Sequence, residues 1–203
     1  MIASIILNSE INVKINGEYF IAVDGGLREL IKQGIKPNLI LGDFDSFDLK
    51  KNIYPDVERV KYRKNKNFSD GEAAILEAKK RGFQKVYLYG VDGGRIDHIY
   101  CNIALIIFGG RNKLDIEGRG DNFKIIYYSQ GIKGINVSKG DIVSIFPSSD
   151  SLITSSKNLL YKYDNESLDY KNISLGLSNI ATADYIEIEI EKGDGLIFVT
   201  KEQ

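Results

Sequence analysis

Cysteine, proline, histidine and tryptophan are scarce in this sequence: 203 residues include one Cys, three Pro, one His and no Trp. A single cysteine, Cys101, excludes an intrachain disulfide framework. Its apolar neighbours between Ile99 and Leu105 predict a buried, unreactive thiol. No apolar run approaches the ~20 residues that span a bilayer. The stretch Ile2–Leu7 is short for the apolar part of a signal peptide, and no Lys or Arg precedes Lys14. The expectation is a soluble, cytoplasmic protein. Neither sign of charge dominates, with 27 Lys and Arg against 28 Asp and Glu and a formal net charge of -1. That balance removes any global pull toward nucleic acid or anionic membrane. One local run, Arg59, Lys61, Arg63, Lys64 and Lys66, reads either as a solvated face or as a rim that attracts phosphates.

Several catalytic signatures are also missing. There is no Gly-x-x-x-x-Gly-Lys-Ser/Thr loop and no Gly-x-Gly-x-x-Gly after a strand, which argues against a P-loop enzyme or a standard dinucleotide dehydrogenase. No nucleophile elbow, serine triad or cysteine–histidine pair has support.

What is present alternates. Apolar runs at Ala3–Leu7, Tyr19–Val23, Leu39–Leu41, Val57–Tyr62 and Lys85–Tyr89 lack the polar-apolar alternation of a half-exposed sheet. They read as strands buried on both sides. Helical stretches lie between them: Leu27–Gln33, one opening at the capping-box spacing Ser69-Asp70-Gly71-Glu72, and a long buried helix over Ile96–Phe108. The fold class expected is α/β, a parallel, Rossmann-like sheet with helices on both faces. After about Gly120 segments shorten and turns multiply, at Gly131, Gly134, Gly140-Asp141 and Gly193-Asp194-Gly195. Tyr185–Glu191 alternates isoleucine and glutamate as a half-buried antiparallel strand does. The expected organisation is an α/β domain over 1–121 and a smaller all-β, sandwich-like domain over 122–203.

Three acidic loops follow three of these strands: Asp24-Gly25-Gly26, Gly42-Asp43-Phe44-Asp45-Ser46, and Asp92-Gly93-Gly94-Arg95-Ile96-Asp97-His98. Parallel strands bring such loops to one edge, where ligands of open α/β sheets bind. Carboxylates gathered there repel one another unless a cation compensates. A hard divalent ion such as Mg²⁺ suits them, because it takes oxygen ligands and keeps positions for substrate phosphates. Asp43 and Asp45, two apart, can face the same way and bind one cluster. Each loop alone reads as an ordinary turn; three at successive strand ends favour a site. Arg95 stands where a helix begins, suited to a phosphate beside the first amides. Helical spacing places Arg95 near His98 and His98 near Asn102. His98 reads equally as a hydrogen-bonded core residue, and without companions it is a poor metal ligand.

Taken together, the motifs Asp24-Gly25-Gly26, Gly42-Asp43-Phe44-Asp45-Ser46 and Gly93-Gly94-Arg95-Ile96-Asp97-His98 resemble the thiamine pyrophosphokinase family over nearly the whole chain. Lys66-Asn67-Phe68-Ser69-Asp70-Gly71-Glu72 resembles the family's lysine–aspartate–x–threonine–aspartate element, with Asn67 and Ser69 replacing the usual aspartate and threonine. Asn158-Leu159-Leu160-Tyr161 resembles a glycine–leucine–x–tyrosine/tryptophan stretch, with Asn158 for glycine, and Ser178-Asn179 a serine–asparagine pair. The resemblance implies transfer of a diphosphoryl group from ATP to the hydroxyl of thiamine, with Mg²⁺, in a homodimer whose thiamine lies between the α/β domain of one subunit and the β domain of its partner.

It assigns Asp43, Asp45 and Asp70 to metal and catalysis, with Asp97 and Arg95 beside them. Asp24, Gly25, Gly26, Ser46, Lys66, Gly94, Arg95, His98 and Asn102 would contact the nucleotide, and Tyr161, Ser178 and Asn179 the acceptor. Some relatives stack a tryptophan on the pyrimidine ring; here a tyrosine or an aliphatic wall must serve. The competing readings are a pyrophosphokinase for another alcohol, a metal-dependent nucleotide phosphohydrolase, and a non-catalytic nucleotide sensor.

Overall fold

The apolar runs that lack alternation do form strands buried on both faces. In a computed structural model, which describes residues 1–42, 53–61 and 68–202, the chain divides into two compact units, 1–121 and 122–203. The first unit carries β1 (Ile2–Ile6), β2 (Tyr19–Val23), β3 (Leu39–Gly42), β4 (Glu58–Lys61), β5 (Lys85–Tyr89) and β6 (Asp115–Arg119). All five pairings among them are parallel, in the spatial order β6-β5-β1-β2-β3-β4. Its described helices are α1 (Gly26–Lys32), α2 (Asp70–Lys80) and α3 (Ile96–Arg111). Strand β6 carries only two buried residues among charged ones, Ile116 and Gly118, so its apolar signal is too short to read from the sequence.

Strand residues divide by parity. Ile6, Ala22, Ile40 and Tyr89 pack with Leu27 and Leu30 of α1. Ile5, Ile21, Leu39 and Leu88, of opposite parity, are equally buried, and α2 runs against β1, β2 and β3. Two glycines bring the helices in close. A Cβ at Gly71 would strike Leu105 of α3, and one at Gly109 would strike Ile116 of β6. At the far end of α2, Arg81 donates to Glu58, Glu77 and Tyr19 at 2.6, 2.9 and 2.8 Å. This anchor leaves the N-terminus of α2 at the carboxyl edge of the sheet.

Helix α3 differs from the expected buried helix. Only Leu105, Ile106 and Gly109 are fully buried in it; Tyr100 is 78% exposed and Cys101 is exposed as well. The expectation of a buried thiol is therefore corrected. The C-terminal half of α3 lies on β6, with Gly109 against Ile116, whereas its first turns carry exposed residues, Ile96 to His98, Tyr100 and Cys101.

In the second unit, β7 (Phe123–Asn136) and β12 (Tyr185–Thr200) form a long antiparallel ribbon. The glycines at 131, 134, 193 and 195 were expected to make turns, but the strands run through them. Their register shifts between Ile190 and Asp194, opposite Gly131, and the positive φ of Gly131 and Gly193 (116° and 88°) admits this bulge. Strand β9 (Ser151–Lys157) pairs the first half of β12, β8 (Ile142–Pro147) the second, β10 (Glu166–Asp169) extends β9, and β11 (Asn179–Ile180) extends β8. Expected as sandwich-like, the unit is one hydrogen-bonded network joined through β12, since each half of that long strand has its own second partner. Pairing in the chain as a whole is thus mixed, parallel in one unit and antiparallel in the other.

Candidate active site

Strand order explains where the cavity lies. From β1 the chain moves to β2, β3 and β4 on one side, then crosses to β5 and β6 on the other. The crevice between the carboxyl ends of β1 and β5 is therefore the switch point at which open sheets bind ligands. A cavity of about 490 Å³ opens there, within the usual range for small-molecule sites. Its carboxylates come from three places: Asp24 after β2, Asp70 at the first position of α2, and Asp97 in the first turn of α3.

Asp70 is held there by the cap before it. The N–H of Glu72 donates to Ser69 Oγ at 3.1 Å, and the N–H of Ser69 donates to Glu72 Oε2 at 2.6 Å. The serine replacing the family's threonine thus keeps the hydroxyl cap. Asp24 sits in the left-handed region, φ 48°, with its N–H donating to Leu41 O at 2.9 Å, and a Cβ on Gly42 would fall on its carboxylate. Gly25 and Gly26, expected to contact nucleotide, are buried. A Cβ on Gly26 would overlap the carbonyl of Ile6, so Gly26 lets α1 start against the end of β1, and one on Gly25 would overlap the side-chain amide of Asn8, so Gly25 leaves room for that side chain.

Arg95 departs from the expected geometry. It is the N-cap of α3, exposed, and grips Asp97 through two bonds of 3.1 and 2.5 Å instead of approaching His98. It is not among the residues lining the cavity. The guanidinium holds the Asp97 carboxyl at about 2, below its ordinary 3.8. A depressed carboxylate contributes stability above its unfolded pKa, and that contribution is lost as pH falls through the folded value. The Asp97 carboxyl resonance should therefore titrate with a midpoint near pH 2. Arg95→Gln should move that midpoint up toward the ordinary value; an unchanged midpoint would refute the pairing as its cause.

His98 is exposed on the cavity wall, not in the core, and its ring makes no hydrogen bond among the described residues. Asn102 also lines the cavity, but its amide donates to Gly90 O and Val91 O at 3.3 and 3.5 Å, tying α3 to the loop after β5. Gly93 and Gly94 complete that loop's share of the wall. Asn8, Leu7, Cys101 and Leu105 line it too and were not anticipated. Asp43, Asp45, Ser46, Lys66 and Asn67 lie outside the described residues. Among the described residues, no three acidic, histidine or cysteine side chains converge closely enough to hold a metal by themselves. Magnesium bound with a polyphosphate needs fewer, because it commonly takes one or two carboxylates and completes its shell with phosphate oxygens and water.

The residues assigned to the acceptor lie in the second unit. Asn158 has φ 64°, a conformation glycine and asparagine tolerate, which explains the exchange at this position. Its amide donates to Tyr185 O at 2.8 Å. Asn179, 2% exposed, spends its side chain on backbone: it accepts from the N–H of Tyr161 and Ile180 and donates to Tyr161 O. Ser178 is exposed, with φ 58° and its N–H on Ser144 Oγ at 3.0 Å. Tyr161 is 67% exposed. Asn179 thus presents Tyr161, with its side-chain oxygen fully engaged and one of its two N–H donors given to Tyr161 O. Asn179→Ala strands several backbone groups and should cost about 2 kcal/mol in denaturant unfolding. A loss under 0.5 kcal/mol, roughly that of an ordinary surface change, would show the clamp is unimportant.

Residues 12–117 match the family model described as thiamin pyrophosphokinase, catalytic domain. The chain belongs to the thiamin pyrophosphokinase family. It carries the catalytic domain of these kinase-type enzymes, whose pyrophosphate donor is ATP. The fold agrees with solved thiamin pyrophosphokinases at low identity. The Bacillus subtilis structure aligns with a TM-score of 0.88 at 20% identity, covering 100% of both chains. That from Geobacillus thermodenitrificans gives 0.87 at 22%, covering 100% of this chain and 99% of that one. The Candida albicans protein gives 0.81 at 16%, covering 99% of this chain and 90% of that one. No curated protein matches the sequence. No described helix is long and apolar enough to cross a membrane.

Proposed function

We propose that the chain is an ATP:thiamine diphosphotransferase, converting thiamine and ATP to thiamine diphosphate and AMP. The observation that carries this reading is the meeting of Asp24, Asp70 and Asp97 on one cavity at the switch point, in a chain of this family. The thiamine hydroxyl oxygen attacks the β-phosphorus of ATP, the bond from that phosphorus to the bridging oxygen of the α-phosphate breaks, and AMP leaves. The hydroxyl proton passes to a carboxylate, for which Asp70 is the first choice among the described residues. Magnesium would be held by Asp70 with Asp43 and Asp45, and when bound it offsets phosphate charge. Asp97, fixed by Arg95, orients the α3 end of the cavity, and His98 faces the reacting groups. Transfer of this kind is mostly positioning and charge stabilisation, which suits a rigid wall built from a capped helix and short loops.

The acceptor ring rests on the second unit in this reading, and a homodimer places it there. Leu160 and Tyr161 are 54% and 67% exposed, with Leu177 and Ile180 exposed beside them, and they give an apolar surface for a ring and a partner subunit. Sedimentation should show a dimer. The decisive assay mixes purified protein with thiamine, ATP and Mg²⁺ and follows both products. A folded sample that releases inorganic phosphate without thiamine, or forms neither product, defeats the assignment.

A further inference from the structure

Asn8 is a cavity residue to which the proposed reaction gives no role. It follows β1 at the switch point, lines the cavity and is exposed. Its side chain makes no hydrogen bond among the described residues, whereas the other asparagine on this wall, Asn102, is spent on Gly90 and Val91. A side-chain amide facing a ligand cavity holds two donor hydrogens and an acceptor oxygen that a ligand can use.

The loop behind it is rigid. The N–H of Leu7 donates to Tyr89 O at 3.0 Å and that of Ser9 to Leu7 O at 2.9 Å. Farther along, Ile11 N–H donates to Glu29 Oε2, Ile15 N–H to Gln33 Oε1, and Asn16 N–H to the Tyr89 hydroxyl. Gly93 is pressed against the Ser9 hydroxyl and Gly25 against the Asn8 amide, so neither neighbouring loop can take a side chain without displacing this one. The backbone on either side of Asn8 is therefore fixed before any ligand arrives, which lowers the entropy cost of presenting its amide.

Charge decides which ligand atom it meets. The lining carboxylates Asp24, Asp70 and Asp97 repel a polyphosphate, and Arg95 is turned onto Asp97. A neutral donor between the Asp24 and Gly93 walls meets the anion without adding repulsion. We propose that the side-chain amide of Asn8 donates to a phosphate oxygen of the bound nucleotide and helps fix its polyphosphate at the β1–β5 crevice. This rests on the reading that the cavity takes ATP.

The test compares wild type with Asn8→Asp, which keeps the shape but exchanges the donor for a carboxylate, and with Asn8→Ser. Binding of ATP, inorganic tripolyphosphate and adenosine is measured by calorimetry at fixed Mg²⁺, with melting temperatures as the control for folding. Asn8→Asp should weaken ATP and tripolyphosphate by about tenfold or more, the worth of one hydrogen bond to a charged acceptor. Asn8→Ser should lose less, and adenosine should be unaffected. Equal ATP affinity in wild type and folded Asn8→Asp overturns the proposal, as does a loss confined to adenosine or a wild type that binds no nucleotide. A wild type that binds ATP yet forms no thiamine diphosphate defeats the reaction assignment alone and leaves the Asn8 measurement valid. If Asn8→Asp melts early, Asn8→Ser carries the same comparison, and unchanged binding there also overturns it.

Discussion

Asp70→Asn should lower kcat for thiamine diphosphate formation by about 10²–10³-fold, the scale seen when one group aimed at developing charge is removed. The substitution keeps the size of the side chain and leaves the capping pair Ser69–Glu72 intact, so α2 should still form. Asp70 is half-buried, so melting temperature is the control for folding, and it should fall by no more than a few degrees, about 1 kcal/mol. Steady-state kinetics over a range of Mg²⁺ concentrations separate the roles. If Asp70 serves through the metal, higher Mg²⁺ should recover part of the rate; if it accepts the proton, it should not. An enzyme with near-normal kcat after this change would remove Asp70 from the reaction. Asp97→Asn makes a useful contrast, because it also releases Arg95. Its loss should appear alongside a changed Arg95 environment, whereas Asp70→Asn should leave that pair in place.

The second large effect concerns stability. Gly26→Ala should cost about 3 kcal/mol, the upper part of the usual range for overpacking. The atoms that a Cβ would meet are the backbone of Ile6 and Leu7, which cannot rotate away as a side-chain tip does. Helix α1 would have to retreat from β1, carrying fully buried Leu27 and Leu30 out of contact. Gly34→Ala is the control. It has φ 69° and open space around the added methyl, so its cost is the left-handed conformation alone, about 1–2 kcal/mol. Denaturant unfolding of both variants tests the difference. If Gly34→Ala proved the more damaging, the close approach at Gly26 would not be a stabilising contact.

These two substitutions also show why a motif does not name its own role. In Asp24-Gly25-Gly26 the aspartate faces the cavity, while Gly26 serves helix packing. Nothing in the three residues separates these uses, because the need for a missing Cβ arises from β1, some twenty positions earlier. Ser178-Asn179 behaves in the same way. The pair reads as two polar contacts for a substrate, yet Asn179 is consumed by the backbone it presents.

Local rules determined a good deal of this protein from the sequence. Tyr19–Val23 and Lys85–Tyr89 are strands at the positions their apolar runs indicate. The Ser69–Glu72 cap forms as its spacing requires, and Ile186, Ile188 and Ile190 are buried in alternation. Each of these depends on neighbours within a few residues, so the chain carries the information nearby.

What tertiary structure decided are the features set by elements distant in sequence. They include the continuation of β7 and β12 through glycines that resemble turns, the exposure of Cys101 in the first turns of α3, and the turning of Arg95 onto Asp97. The appearance of Asn8 on the cavity wall belongs with them. Burial and partner choice depend on which strand lies alongside, and strand order is a property of the whole sheet that no short window of residues encodes.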